Sequence, residues 1–176
     1  MLKVFHSSSL LVKKNKPNEN LTNVSLVRWA NIYNLTPKKM EKEISIEWKG
    51  NMAFEANVDG FRVMMDAVPE VGGQDLGPTP KPLLMASLGG CTGMDVISVL
   101  KKMRQEVERM TIRVIGTLTE EHPKHYTAIH LVYQFTGKDL DPDKLRKAID
   151  LSQDRYCGVS ETLRKGVKIS YDVEVI

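Results

Sequence analysis

Cysteine is scarce in this sequence, with two in 176 residues, which excludes a disulfide-rich secreted scaffold. No uninterrupted apolar run reaches the ~18 residues of a membrane span, so no membrane partner is expected. No HExxH, P-loop, GxGxxG or GxSxG pattern occurs. The sequence therefore carries no motif for a catalytic metal, a nucleotide cofactor or a serine nucleophile, and none of these is expected. Acidic residues are nearly absent from the first 39 positions, which hold seven Lys or Arg and one Glu, a net +6. The rest holds 18 basic and 21 acidic residues, a net −3. The whole-chain charge of +3 is thus a property of the N-terminal segment, and a body of net negative charge argues against nucleic-acid binding.

The charge step suggests a boundary, with residues 1–39 as a basic extension and 40–176 as one domain. The extension has six Asn, the Ser7–Ser9 run and Lys13-Lys14-Asn15-Lys16. Its apolar patch, Leu10 to Val12, is too short for a signal-peptide core. Three readings stand open: a disordered tail, an organelle-targeting segment, or a misassigned start with Met40 as the true initiator.

The body reads as βββ–α–ββ–αα–β, an α+β layout. Residues 43–48, 52–58 and 61–67 alternate as strands joined by turns at Lys49-Gly50-Asn51 and Asp59-Gly60. A Gly- and Pro-rich loop over 68–80 leads to a long helix over about 81–104, capped by Thr79 and begun by Pro80 or Pro82. Strands are expected over 110–119 and 126–136, helices over about 141–155 and 159–165, and a last strand over 167–176. The long helix is apolar on most faces, the pattern of a buried element.

That helix contains Gly89-Gly90-Cys91-Thr92-Gly93. Each mid-helix Gly costs roughly 1 kcal/mol against Ala, so packing or function should offset three in five positions. Gly89 and Gly93 share a face and suit the close approach of another helix, or leave room beside a reactive thiol. Cys91 has Leu84, Leu88 and Met94 within two turns. Such a surround raises a thiol pKa, and Asp95 at i+4 raises it further if it faces the sulfur. A reactive Cys91 therefore needs a cation from elsewhere in the fold. Cys157 lies beside Arg155 at a short helix start, with Gly158 and Ser160 as local caps, where a thiolate is favoured. The alternative for both cysteines is simple core packing. His122 and His125 sit in a charged loop, and with His130 they match no ligand spacing.

Pro78-Thr79-Pro80, Leu83 through Val96 around Cys91, and Asp150-Leu151-Ser152 through Ser160 around Cys157 together resemble the OsmC/Ohr family, in its OsmC-like, YhfA-type branch. The match spans about residues 41–176. The resemblance implies an OsmC-like fold: an intertwined homodimer in which antiparallel sheet wraps a long buried central helix from each chain. It implies cysteine-based reduction of organic hydroperoxides in oxidative-stress defence, with Cys91 peroxidatic, Cys157 resolving, and a thiol or dithiol as reductant. Leu84, Leu88 and Met94 would line the substrate pocket. The family's best-studied peroxidases activate the thiolate with an Arg from the first hairpin and a Glu before the cysteine. This chain has Lys81 at the Glu position and no Arg in that hairpin, so Lys49, Arg62 and Lys81 are the candidate activating cations. Reduced-thiol chemistry points to the cytoplasm. Two other functions compete: a dimeric binding protein that holds an apolar ligand, and a disulfide oxidoreductase that uses no peroxide.

Overall fold

The computed structural model describes residues 40–176, and the readings of 1–39 lie outside the described residues. The first three strands, β1 (Ser45–Gly50), β2 (Ala53–Val58) and β3 (Phe61–Met65), form an antiparallel meander in the order β1-β2-β3. Its turns use left-handed backbone at Gly50 and Asn51, and again at Asp59 and Gly60. Asn and Asp tolerate that region and Gly favours it, so the two tight reversals follow directly from the local sequence. The meander exposes large apolar side chains, among them Trp48 (63%) and Phe61 (75%).

A loop with one turn of 3-10 helix (Pro69–Val71) follows and folds back on β3. Its anchor is Asp66, 2% exposed, whose carboxylate accepts backbone N–H bonds from Ala67, Gln74 and Leu76. Burial acts to raise the Asp66 pKa, but the donors from Gln74, Ala67 and Leu76 together outweigh it and hold the group below its ordinary value. Two glycines permit the close pass. A Cβ at Gly73 would lie 1.8 Å from the Ala67 carbonyl oxygen, and one at Gly77 would lie 2.4 Å from that of Met64.

Helix α1 (Pro80–Lys102) runs from this loop. Thr79 occupies the N-cap position, but its side chain makes no capping hydrogen bond. Pro80 and Pro82, which have no N–H to satisfy, remove two of the donors a cap would serve. Taken as a whole α1 is long and apolar enough to cross a membrane by length and composition, contrary to the expectation from uninterrupted runs alone. Its hydrophobicity is accounted for on one face by the protein core, where Leu88, Val96, Val99 and Leu100 are buried.

The second sheet has the order β4-β5-β6, built from β4 (Val107–Leu118), β5 (Tyr126–Gly137) and β6 (Lys168–Val175). β5 is central, and Ile129, Leu131, Tyr133 and Phe135 alternate inward, each 1% exposed or less. A fully buried side chain of this size contributes ~1.5–3 kcal/mol, so this strand and the facing stripe of α1 dominate the core. β4 and β5 pair antiparallel as expected, but β5 and β6 pair parallel. The physical reason is the connection. α2 (Pro142–Leu151), a π-helical turn (Ser152–Tyr156) and α3 (Gly158–Leu163) form a crossover long enough to return the chain in the same direction. Asp141 caps α2 by accepting from Asp143 N and Lys144 N, and Leu145, Ala148 and Ile149 seat it on the core.

Gly89 and Gly93 do face a close neighbour, but it is a strand. Cβ atoms there would meet Val114 Cγ2 and Ile112 Cδ1, both of β4, at 3.1 Å. The far side of α1 is open: Gly90 has nothing against it and Met94 is 73% exposed.

Candidate functional site

Cys91 lies in the middle of α1, half-buried, and Cys157 is the buried N-cap of α3, each a free thiol. The 65 residues between them fold so that the two sulfurs and a carboxylate oxygen of Asp95 all lie within 4.8 Å of one another. Asp95 is one helical turn after Cys91 and therefore on the same face. A disulfide bond is ~2 Å long, so closing the pair needs at most about 3 Å of relative movement.

The electrostatics at Cys91 follow from its neighbours. Burial pushes its thiol pKa up, and contact with the Cys157 sulfur raises it further. The Val159 backbone N–H, at the start of α3, pulls in the opposite direction, while negative charge on Cys157 and Asp95 adds to the upward shift. Cys157 in turn accepts a hydrogen bond from Ser160 N at 3.4 Å. The cap at α3 is thus the cysteine sulfur itself; the Ser160 hydroxyl, expected as a local cap, is buried and unpartnered.

Beneath the sulfurs is a polar network that sequence reasoning missed. Thr92 Oγ1 lies 2.7 Å from Tyr133 Oη and 2.9 Å from Ser152 Oγ. Ser152 Oγ donates to Asp95 Oδ2 at 3.0 Å, and Gln153 Nε2 donates to Tyr133 Oη at 3.1 Å. The π-helical turn supplies Ser152 and Gln153 together, and Arg164 Nη2 holds that turn by donating to the Gln153 carbonyl at 2.6 Å. One signal was available: Thr92 is a polar residue on an otherwise apolar face. The partners on β5 and the turn were not readable, because the widened turn interrupts the expected 141–155 helix after Leu151.

The three candidate cations take other places within the chain. Lys49 pairs with Glu47 at 2.6 Å and Glu55 at 3.6 Å, and Arg62 pairs with Glu55. The reason is register: Glu47 and Glu55 face each other across β1 and β2, so the two basic chains close a charge cluster on the meander. Lys81 is ten residues before Cys91, roughly 15 Å along a helix axis, and reaches the Lys124 carbonyl at 3.5 Å. Among the described residues no cation is found among the groups acting on Cys91. The expected pocket residues also separate. Leu88 is fully buried in the core, Leu84 is half exposed, and Met94 lines an open groove of about 660 Å³ with Gly90, Ile97 and Ser98. A smaller cleft of about 290 Å³, lined by Arg155, Tyr156, Gly158 and Glu161, opens onto Cys157.

A crossover-built mixed sheet on one long helix, with a cysteine in that helix facing a second one at a short helix start, defines a class. The chain belongs to the OsmC-like family: the family model described as OsmC-like protein matches residues 72–172. Among its relatives, Protein YhfA of Escherichia coli is 32% identical over 132 residues, covering 74% of this chain and 96% of that protein. A hypothetical protein from Aquifex aeolicus has a similar solved structure, with a TM-score of 0.67 and 31% identity, covering 78% of this chain and 99% of that one. The organic hydroperoxide resistance protein OhrB of Bacillus subtilis shares the fold at a TM-score of 0.56 and 20% identity, covering 77% of this chain and 98% of that one.

Proposed function

We propose that this protein reduces organic hydroperoxides with Cys91 as the attacking residue and Cys157 as the resolving one. The observation that carries this reading is the approach of the two sulfurs to within 4.8 Å. In the first step the Cys91 thiolate attacks the O–O bond, forming a sulfenic acid and releasing an alcohol after protonation. In the second, the Cys157 thiol condenses with the sulfenic acid, forming the disulfide and one water. A dithiol reductant then reduces the disulfide and is itself oxidised, which returns both thiols. The working unit is an intertwined homodimer, supported by the apolar side chains that the meander and the outer face of α1 leave exposed. The second copy is then the source of the cation that Cys91 does not find among the described residues of its own chain. The similarity to a Bacillus subtilis protein described as conferring organic hydroperoxide resistance agrees with the substrate class.

The test is peroxide consumption in the presence of a dithiol. Cys91→Ser is expected to abolish turnover. With the dithiol left out, Cys157→Ser is expected to consume one equivalent of peroxide and leave a sulfenic acid trapped by dimedone. Turnover unchanged in Cys91→Ser would refute the assignment.

A second reading has its own observation. Burial and Cys157 push the Cys91 thiol pKa up, no cation acts on it among the described residues, and the groove of about 660 Å³ is lined by apolar and small residues apart from Lys101. Those features suit a dimeric binding protein for an apolar ligand. Co-purification of such a ligand, with peroxide loss no faster than for a free thiol, would favour that reading over the peroxidase.

A further inference from the structure

Cys91, Cys157 and Asp95 offer two soft sulfur donors and one carboxylate within 4.8 Å of one another. Thiophilic cations are held by such donors. Zinc binds thiolate sulfur at ~2.3 Å and carboxylate oxygen at ~2.0–2.2 Å, with three protein ligands and an open fourth position where the site is not purely structural. Two sulfurs on one tetrahedral ion lie ~3.8 Å apart. The three donors therefore need only a small inward adjustment to share an ion. They come from two elements that pack independently of any metal, a long core helix and the cap of α3.

Asp95 is also oriented as a ligand carboxylate is. Ser152 donates to its Oδ2, and Ser152 is itself fixed by Thr92 and Tyr133. Outer-shell hydrogen bonds of this kind set the direction of a ligating group. None of the three makes an ion pair with Lys or Arg among the described residues, so no described side chain competes with a divalent cation for these donors.

We infer that the reduced protein binds one thiophilic divalent cation, of the Zn²⁺ type, through Cys91 Sγ, Cys157 Sγ and Asp95, and that disulfide formation releases it. Binding exchanges two thiol protons, which go to solvent, for two metal–sulfur bonds, with the carboxylate third and water fourth. No electron moves in this step. The same sulfurs cannot hold the ion and each other, so metal and peroxide compete for the reduced pair. The inference does not depend on turnover: a peroxidase and a ligand-binding protein with these three residues would both bind the ion.

The experiment titrates the reduced and the oxidised full-length protein with Zn²⁺ against a chromophoric chelator, and with Cd²⁺ while following thiolate-to-metal charge-transfer absorbance. Reduced protein is expected to bind one ion per chain and to release about two protons. Oxidised protein is expected not to bind. Asp95→Asn should weaken affinity at least tenfold, and Ser152→Ala, which keeps all three ligands, should weaken it about tenfold or more. Far-UV circular dichroism checks each variant, and the oxidised wild type tests the inference without any substitution. Equal binding by reduced and oxidised protein overturns the site, as does unchanged affinity in Asp95→Asn. Because absorbance reports metal and not peroxide, a metal site without turnover and turnover without a metal site are told apart.

Discussion

At the scale of single residues, Cys91 and Thr92 show how one helix turn serves two chemistries. Burial, then Cys157, then Asp95 push the Cys91 thiol pKa up, against the pull of the Val159 N–H. Thiolate is the nucleophile, so without a cation from the second copy the alkylation rate of Cys91 should rise with a midpoint above ~8.5, the ordinary thiol value. Iodoacetamide kinetics on Cys157→Ser, which leaves Cys91 as the one thiol and retains its burial and Asp95, measure this, and a plateau below neutral pH would show that a cation reaches the sulfur. Thr92 bridges Tyr133 and Ser152. Thr92→Val keeps the shape and removes the bridge, leaving buried hydroxyls short of a partner at a cost of about 1–3 kcal/mol. Urea unfolding of this variant beside Thr92→Ser separates lost hydrogen bonds from lost volume. Sequence reading gave the sign of Asp95's effect on Cys91, because that depends on neighbours along one helix. The network was out of its reach, because Tyr133 and Ser152 are brought to Thr92 only by tertiary packing.

At the scale of elements, the loop between β3 and α1 shows backbone geometry setting composition. Asp66 gathers three amides, and Gly73 passes where a Cβ would strike the Ala67 carbonyl at 1.8 Å. Gly73→Ala should undock the loop and cost about 1–3 kcal/mol, as overpacking does, with hydrogen exchange quickening at Gln74 and Leu76. Since the folded Asp66 pKa lies below the unfolded value of ~3.9, its contribution is full above that pH and is lost as pH falls through the folded value. Acid unfolding of Asp66→Asn should accordingly lack part of the pH dependence of the wild type between those two values. Element order was legible throughout the described residues, since turn residues and hydrophobic period are local. The parallel pairing of β6 was not, because alternation along a strand does not report its partner's direction, and the helix partner expected for Gly89 and Gly93 is strand β4.

At the scale of the whole molecule, exposure points to assembly. Trp48, Phe61 and Met94 are among the large apolar side chains that a single chain leaves open to water. Such surface marks interaction sites. Sedimentation is expected to give twice the chain's mass of 19.9 kDa, and Met94→Lys, placing a charge on the outer face of α1, should shift the protein toward monomer. A monomeric wild type at micromolar concentration would contradict the dimer. The central claim, a redox pair made of Cys91 and Cys157, is tested most directly by disulfide mapping. Reduced protein is mixed with one equivalent of an organic hydroperoxide and digested for mass spectrometry. A Cys91–Cys157 cross-linked peptide is expected, with two thiols lost for each peroxide consumed. Both cysteines recovered as free thiols while the peroxide persists would contradict it.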